Sequence, residues 1–178
     1  MSRTTWGALA VAVAAATGLV VAPAVASAAP MGGAVMIQNG AFNDEVLCAS
    51  PNSQSTWLQS TGAASGNAYC QWVQIGGDDR FGLFNLGKLQ VMACTGGDVN
   101  PIVMEQSNSS PLGGNAELFS WGGWEDWGYR ALQCFYDSGQ NVDAKSPDGD
   151  TPRTDPVRAR GWRHGYQREL TWNEVAPR

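Results

Sequence analysis

The residues that could build a catalytic centre are few and poorly grouped. His164 is the only histidine in the chain, and the segment GWRHGYQ around it supplies no recognisable catalytic partner. The sequence contains neither Gly-x-Ser-x-Gly nor His-Glu-x-x-His. A histidine that is flanked by arginine and tyrosine in a polar stretch is more simply a surface residue. The pattern therefore predicts no hydrolytic site of these kinds.

Two pairs of carboxylates could act as acid catalysts or metal ligands. Asp148 and Asp150 flank a glycine in SPDGDTP, which is typical of a turn and offers too few oxygen atoms for a calcium loop. Glu125 and Asp126 lie next to aromatic residues, where acid catalysis is one interpretation and simple solvation the other. With one histidine and no Cys-x-x-Cys, a zinc site is also disfavoured. We expect a protein that is not an enzyme and needs no metal or cofactor.

Aromatic residues are concentrated between positions 121 and 129. The segment contains Trp121, Trp124, Trp127 and Tyr129, separated by glycines and two acids. An indole has a flat apolar face and one N–H donor, so it suits stacking on a sugar ring or anchoring a protein partner. The alternative is that these rings pack inside the protein.

A second candidate surface is basic. It contains four arginines and two aromatic residues: Arg158, Arg160, Trp162, Arg163, Tyr166 and Arg168. In a chain with a formal net charge of -5, such a strip suits acidic glycans or an acidic partner, and a solvated hairpin is the alternative. The overall acidity excludes the electrostatic footprint of a nucleic-acid-binding protein.

The sequence predicts an export leader ahead of the folded domain. Residues 1–29 contain Arg3, an apolar run over residues 9–21, and the small-x-small pattern Ala26-Ser27-Ala28, which together predict a cleaved signal peptide. A membrane anchor is the alternative, but the run is Ala-rich and is interrupted by Thr17, Gly18 and Pro23. We expect a single mature domain over residues 30–178 that is secreted, extracellular and without a membrane span.

The chain has 4 cysteines, all in the exported part: Cys48, Cys70, Cys94 and Cys134. An oxidising compartment allows disulfides to persist, so two bridges are expected. Four cysteines allow three pairings, and spacing alone does not choose between them.

Short apolar runs separated by turn residues dominate the rest of the chain, which predicts an all-β domain. Three segments of about 45 to 50 residues align with one another. Each opens on an apolar run, at residues 35–37, 81–84 and 129–132. Each has a second run that ends on alanine, at Ala49, Ala93 and Ala144. The third runs are STWLQS, NPIVMEQ and DPVRAR, and the repeats close on Trp72, Trp121 and Trp172.

These repeats resemble those of the ricin-type β-trefoil lectins, over about residues 33–175. That family also has a second strand with small residues, a polar turn, a proline-containing third strand and a closing tryptophan. Its closing motif is Gln-x-Trp, and this chain departs from it, with Cys70, Phe119 or Leu170 two positions before the tryptophan. The resemblance implies a β-trefoil of three pseudo-repeats in one domain.

The resemblance also implies a disulfide pairing and a sugar site. A bridge within the first repeat, Cys48–Cys70, matches the family, which leaves Cys94–Cys134. The family's sugar ligands are an Asp at the end of the second strand, an aromatic residue from the third-strand hairpin, and an Asn or Gln near the closing motif. Loose matches occur only in the third repeat, at Asp143, Trp162 and Asn173. The first and second repeats have Cys48 and Met92 at the Asp position, so at most one such site remains.

The sequence thus predicts a non-catalytic secreted protein with lectin-like recognition of a cell-surface or extracellular glycan. An adaptor subunit that bridges partners in a secreted complex, such as a multi-component bacterial toxin, is the alternative, with an interaction surface at Trp124, Trp127, Tyr129, Arg158, Arg160 and Arg163. A protease inhibitor that uses the proline-rich segment 147–156 is a further alternative.

Overall fold

The structure, a computed structural model, describes residues 33–107, 114–137, 139–144, 156–162 and 167–177. Over these residues the chain forms three consecutive units of four β-strands. The first unit contains β1 (Met36–Asn39), β2 (Glu45–Ala49), β3 (Thr56–Ser60) and β4 (Trp72–Gly77). The second contains β5 (Arg80–Asn85), β6 (Gln90–Cys94), β7 (Ile102–Glu105) and β8 (Phe119–Trp124). The third contains β9 (Arg130–Cys134), β10 (Gln140–Asp143), β11 (Arg158–Gly161) and β12 (Thr171–Val175).

Short helical segments precede the fourth strands. A 3₁₀ turn lies just before the fourth strand of every unit, at Ala68–Cys70, Asn115–Glu117 and Gln167–Leu170. The first unit adds one helical turn, α1 (Thr61–Ala64), whose N-cap Ser60 accepts a hydrogen bond from the backbone N–H of Ala63. No helix of the described residues is long and apolar enough to cross a membrane.

The first and fourth strands of the units close into a barrel. Within the units, Val35 bridges Trp72, Phe81 pairs with Phe119, and β9 pairs with β12. Between the units, β4 pairs with β5, β8 with β9 and β12 with β1. The second and third strands form the hairpins β2–β3, β6–β7 and β10–β11. Six barrel strands with three capping hairpins make a β-trefoil, so the fold class predicted from the sequence is confirmed.

The two ends of the barrel differ in what covers them. The hairpins cap one end. The other, which we call the open end, carries the β4–β5 turn, the β8–β9 turn and the paired chain ends, where Met36 lies opposite Val175.

Three large rings occupy equivalent positions in the core. Each follows its unit's 3₁₀ turn by two residues and is fully buried: Trp72, Phe119 and Trp172. The sequence alignment placed Trp121 in this set, and the structure corrects it to Phe119. Trp121 lies two residues further along β8, where its indole N–H donates to Oε1 of Gln74 at 2.9 Å. Both residues are large aromatics, so the sequence pattern did not distinguish them.

The second strands need a correction of one residue. Their pairing with the first strands aligns Val46, Val91 and Asn141, opposite Gln38, Phe84 and Gln133 respectively. That register places Cys94, and not Ala93, at the position of Ala49 and Ala144. Ala93 therefore lies where the third unit has Asp143, a place that the sequence alignment gave to Met92. Neither residue carries a carboxylate, so Asp143 remains the only acid at that position.

Two disulfides join the cysteines. Cys48 of β2 is bonded to Cys70 of the first 3₁₀ turn, and Cys94 of β6 is bonded to Cys134 of β9. These are the pairs that the resemblance implied. The first bridge lies within one unit, whereas the second links the second unit to the third.

A buried asparagine ends the first strand in two of the units. Nδ2 of Asn39 donates to the carbonyls of Glu169 and Thr171. Its Oδ1 accepts hydrogen bonds from the backbone N–H groups of Ala41 and Phe42. Nδ2 of Asn85 donates to the carbonyls of Tyr69 and Gln71 in the same way. The equivalent residue of the third unit is Cys134. Each asparagine joins the end of a first strand to the 3₁₀ turn of a neighbouring unit, and we call these places the junctions. At the third junction a disulfide replaces the asparagine.

Candidate functional site

The carboxylate nominated in the third unit is buried and already paired. Asp143 is the last residue of β10, and only 3% of its side chain is exposed. Its Oδ2 lies 2.7 Å from Nε of Arg160 on the neighbouring strand β11. Asp143 and Arg160 thus form a largely buried ion pair, in which 14% of the arginine side chain is exposed.

The outer face of β11 presents a row of side chains. Alternation along a strand places Arg158 and Arg160 on one side, while Val157 and Ala159 are buried on the other, and Trp162 follows the end of the strand. Nη1 of Arg158 donates to the carbonyl of Val99 at 3.2 Å. Trp162 is 38% exposed. Part of the basic and aromatic strip considered in the sequence analysis therefore belongs to β11.

The nominated sugar ligands do not converge on one point. In the β10–β11 hairpin, Asp143 lies opposite Arg158, whereas Gly161 lies opposite Gln140. Trp162 follows Gly161, so it lies at the other end of the hairpin from Asp143, four residues beyond Arg158 or about 13 Å away at the rise of a strand. Such a span is longer than one sugar ring.

Asn173 lies nearer to the Asp143 end. The indole N–H of Trp172 donates to the carbonyl of Val142 at 2.8 Å, and Asn173 and Asp143 are the next residues on each strand. The backbone N–H of Ala144 also donates to the carbonyl of Glu169, just before β12. The structure thus brings Asp143 and Asn173 to one junction and leaves Trp162 apart.

Several nominated residues fall outside the described part of the chain. They are Arg163, His164, Tyr166, Asp148, Asp150 and positions 147–155 of the proposed inhibitory segment. Among the described residues, no group of three or more His, Cys, Asp or Glu side chains is arranged to hold a metal ion.

Two aromatic residues of the β8–β9 turn anchor it to the barrel. The indole N–H of Trp127 donates to Oγ1 of Thr171 at 3.1 Å, and the hydroxyl of Tyr129 donates to Oε1 of Gln38 at 3.2 Å. Burial raises the pKa of the Tyr129 phenol above its usual value. Gly128, with a φ of 83°, supplies the left-handed residue of the turn. Trp127 and Tyr129 are therefore half-buried, which leaves Trp124 as the accessible ring of this segment.

Trp124 ends a chain of ring contacts that begins in the core. Phe119 lies 6.5 Å from Phe81, and Phe81 stacks on Trp121 at 5.4 Å between ring centroids. The guanidinium of Arg130 lies 4.5 Å from the Trp121 ring and 4.7 Å from the Trp124 ring. Trp124 is 63% exposed. Cation–π contacts of this kind restrain an exposed indole that would otherwise be free to rotate.

A polar network holds that arginine. Nη1 of Arg130 donates to Oδ2 of Asp78 at 3.0 Å, and Nε2 of Gln74 donates to Oδ1 of the same carboxylate at 3.3 Å. These hydrogen bonds, from Arg130 and then from Gln74, lower the pKa of Asp78 below its usual value. We call Trp124, Arg130, Trp121, Asp78 and Gln74 together the Trp124 platform. Sequence analysis singled out two of its tryptophans and missed its three polar members.

Glu174 borders the Trp124 platform from β12. Burial raises the pKa of its carboxyl, with the Arg130 charge opposing that shift and the Asp78 charge adding to it. A carboxyl whose pKa is raised on folding favours the folded state at low pH, and this contribution is lost as the pH rises through the folded pKa. At neutral pH the ionised Glu174 therefore destabilises the fold.

The Glu174→Gln variant should accordingly melt higher than the wild type at pH 7, by roughly 1 to 2 °C because the carboxylate is still partly solvated. The difference should vanish towards pH 3, where the wild-type carboxyl is protonated in both states. Melting curves followed by circular dichroism at both pH values check this. Asp126→Asn, which makes the same charge change at an exposed turn position, is the control. An equal rise in both variants at pH 7 would assign the effect to net charge.

No protein-family model matches the sequence, and no curated protein matches it either. Solved structures do match. A designed threefold-symmetric protein, ThreeFoil, has a TM-score of 0.66 at 16% identity, with 81% of this chain and 99% of that chain covered. A chain of the cytolethal distending toxin of Actinobacillus actinomycetemcomitans has a TM-score of 0.61 at 14% identity, with 81% and 90% covered.

A Polyporus squamosus lectin, in complex with the epitope Neu5Aca2-6Galb1-4GlcNAc, has a TM-score of 0.60 at 17% identity. The match covers 80% of this chain and 48% of the lectin. At such identities these likenesses show the fold, which is shared by lectins and by a toxin component.

Proposed function

We propose that this chain is a secreted, non-catalytic protein that binds glycans, and that the outer face of the β10–β11 hairpin is one contact surface. The expected leader and the two disulfides support export, because such bonds persist in oxidising compartments. The fold supports binding, since lectins are among the structures it resembles.

One observation carries the proposal. Trp162, just beyond the end of β11 and two residues after Arg160, exposes its indole, and Nε of Arg160 lies 2.7 Å from Oδ2 of the buried Asp143. An indole stacks on the apolar face of a sugar, and a fixed guanidinium donates to its hydroxyls without losing side-chain freedom on binding. The structure thus supports a role for Asp143 as a positioning residue, with Trp162 as the contact.

The length of this face favours an oligosaccharide over a single sugar. Trp162 at one end and the Asp143–Arg158 pair at the other, near Asn173, are separated by four residues of chain, or about 13 Å. Two or three linked sugar rings span that distance. Arg158 and Arg160 lie between the ends and provide hydrogen-bond donors.

The test is a glycan array probed with the full exported chain. We expect saturable binding by the wild type and at least about tenfold weaker binding by Trp162→Ala, as is typical when a central aromatic contact is removed. Leu89→Ala, which removes a 65% exposed apolar side chain from the β5–β6 turn, should bind as the wild type does. If the wild type binds no glycan at any concentration, the proposed function is wrong.

A second candidate function, an adaptor subunit in a secreted complex, is favoured by a group of exposed apolar side chains that includes one residue bonded to β11. Phe135, Tyr136 and Val99 are all exposed, and Tyr136 lies close to Gly96 in the loop that follows β6. Contiguous exposed aromatic residues are enriched at protein interfaces. Stoichiometric partner chains after mild purification from culture supernatant, together with an empty glycan array, would support the adaptor over the lectin.

A further inference from the structure

We propose a second carbohydrate-contact site at the open end of the barrel, in which the outer face of Trp124 stacks on an uncharged sugar ring and Asp78 accepts hydrogen bonds from its hydroxyl groups. This inference rests on the proposed function and adds a site to it. The site uses the β4–β5 and β8–β9 turns, so it is separate from the β10–β11 hairpin.

The stacking surface is already restrained. Arg130 covers part of the Trp124 ring at 4.7 Å, yet 63% of the residue remains exposed. The arginine is in turn held by Asp78 and by the ring of Trp121, which is packed on Phe81. A ligand that stacks on Trp124 therefore meets a surface whose side-chain entropy has been lost on folding, which favours affinity.

The hydrogen-bonding partner stands beside the stacking surface. Asp78 and Trp124 contact the same guanidinium of Arg130, one at 3.0 Å and the other at 4.7 Å. Each carboxylate oxygen accepts one hydrogen bond within the protein, from Gln74 or Arg130, and each has a second lone pair. Because 64% of the Asp78 side chain is exposed, these lone pairs are open to ligand hydroxyls. A flat apolar face next to a fixed acceptor is the arrangement that suits a pyranose.

The charges around the platform select against acidic sugars. The two turns and the end of β12 carry five carboxyl groups: Asp78, Asp79, Glu125, Asp126 and Glu174. Arg130 is already paired with Asp78, and the guanidinium of Arg80 lies over the ring of Phe135. A sialylated or uronic sugar would bring a negative charge into this acidic rim, which costs free energy. A neutral hexose incurs no such penalty.

The experiment uses the full exported chain on an array that carries neutral hexose-terminated glycans and their sialylated counterparts. Trp124→Ala should bind the neutral glycans at least about tenfold more weakly than the wild type. Asp78→Asn, which keeps the shape of the side chain but loses its charge, should weaken the same signals. Tyr136→Ala is the matched control, because Tyr136 and Trp124 are both 63% exposed. Trp162→Ala should keep the signals that Trp124→Ala loses.

Folding is controlled by melting curves and by Trp124→Phe, which retains a stacking ring and should keep most of the neutral-glycan signal. Unchanged neutral binding by a folded Trp124→Ala protein would overturn the second site while leaving the proposed function intact. The second site would also be overturned, and the proposed function kept, if the signals that depend on Trp124 came from sialylated glycans. A wild type that binds no glycan would overturn both proposals.

Discussion

Trp172→Ala is expected to lower the free energy of unfolding by about 3 to 5 kcal/mol, the range found when a buried tryptophan is truncated. The indole is fully buried at the hairpin end of the core, and its N–H donates to the carbonyl of Val142. Truncation leaves a cavity among the strands of the third unit and a buried carbonyl without its donor. Urea denaturation followed by circular dichroism measures the loss.

Two variants make this result specific. Trp124→Ala removes the same side chain from an exposed position and should cost no more than about 1 kcal/mol. Trp172→Phe should lie between the wild type and Trp172→Ala, since Phe119 fills the equivalent position in the second unit. Equal losses for Trp172→Ala and Trp124→Ala would contradict the assignment of Trp172 to the core.

Removing the bridge between the second and third units is expected to have the other large effect. The double variant Cys94→Ala/Cys134→Ala should lose about 2 to 5 kcal/mol of unfolding free energy, as is usual for a native disulfide. The bonded residues are 40 positions apart, so the bridge constrains a long stretch of the unfolded chain. Cys134 also stands where the other units have an asparagine that anchors the next turn, so alanine restores neither restraint.

The matched variant is Cys94→Ala/Cys134→Asn. It places an alanine and an asparagine at this position, as at the equivalent positions of the other units. In one of these, Ala144 and Asn39 both donate to the carbonyl of Glu169. In the other, the residues are Ala49 and Asn85. We expect it to recover about 1 kcal/mol relative to the double-alanine variant, through hydrogen bonds to the 3₁₀ turn of the second unit. Identical midpoints for the two double variants would show that an amide does not serve at this junction.

The sequence was sufficient for the fold because the repeats carry local signals. Proline at positions 101 and 156, alanine at the end of the second runs and a ring near the start of the fourth strands each mark one element in several units. Local signals locate a strand but leave its register open by a residue or two. That is why Ala93 and Trp121 were aligned where the structure has Cys94 and Phe119.

The candidate sites were less accessible from sequence. Arg130 and Asp78 are 52 residues apart and meet only when the barrel closes, so no local pattern reports their ion pair. The aromatic segment includes Trp124, but Trp127 and Tyr129 are also large aromatic residues, so the sequence does not show which ring is exposed. The sequence shows that Asp143 is an acid at the expected position. Its burial and its pairing with Arg160 depend on the strand register, which the sequence does not show.

The placement of the two bridges determines what a protease can separate. A single cut between residues 95 and 133 leaves both fragments joined through Cys94 and Cys134, so the nicked protein would migrate as one species on a non-reducing gel. A cut in the tight turn between Gly77 and Arg80 opens neither covalent loop and would release the first unit on denaturation. Resistance to permanent fragmentation thus resides in the two covalent loops, 48–70 and 94–134, whereas the link between the first unit and the second depends on strand pairing alone.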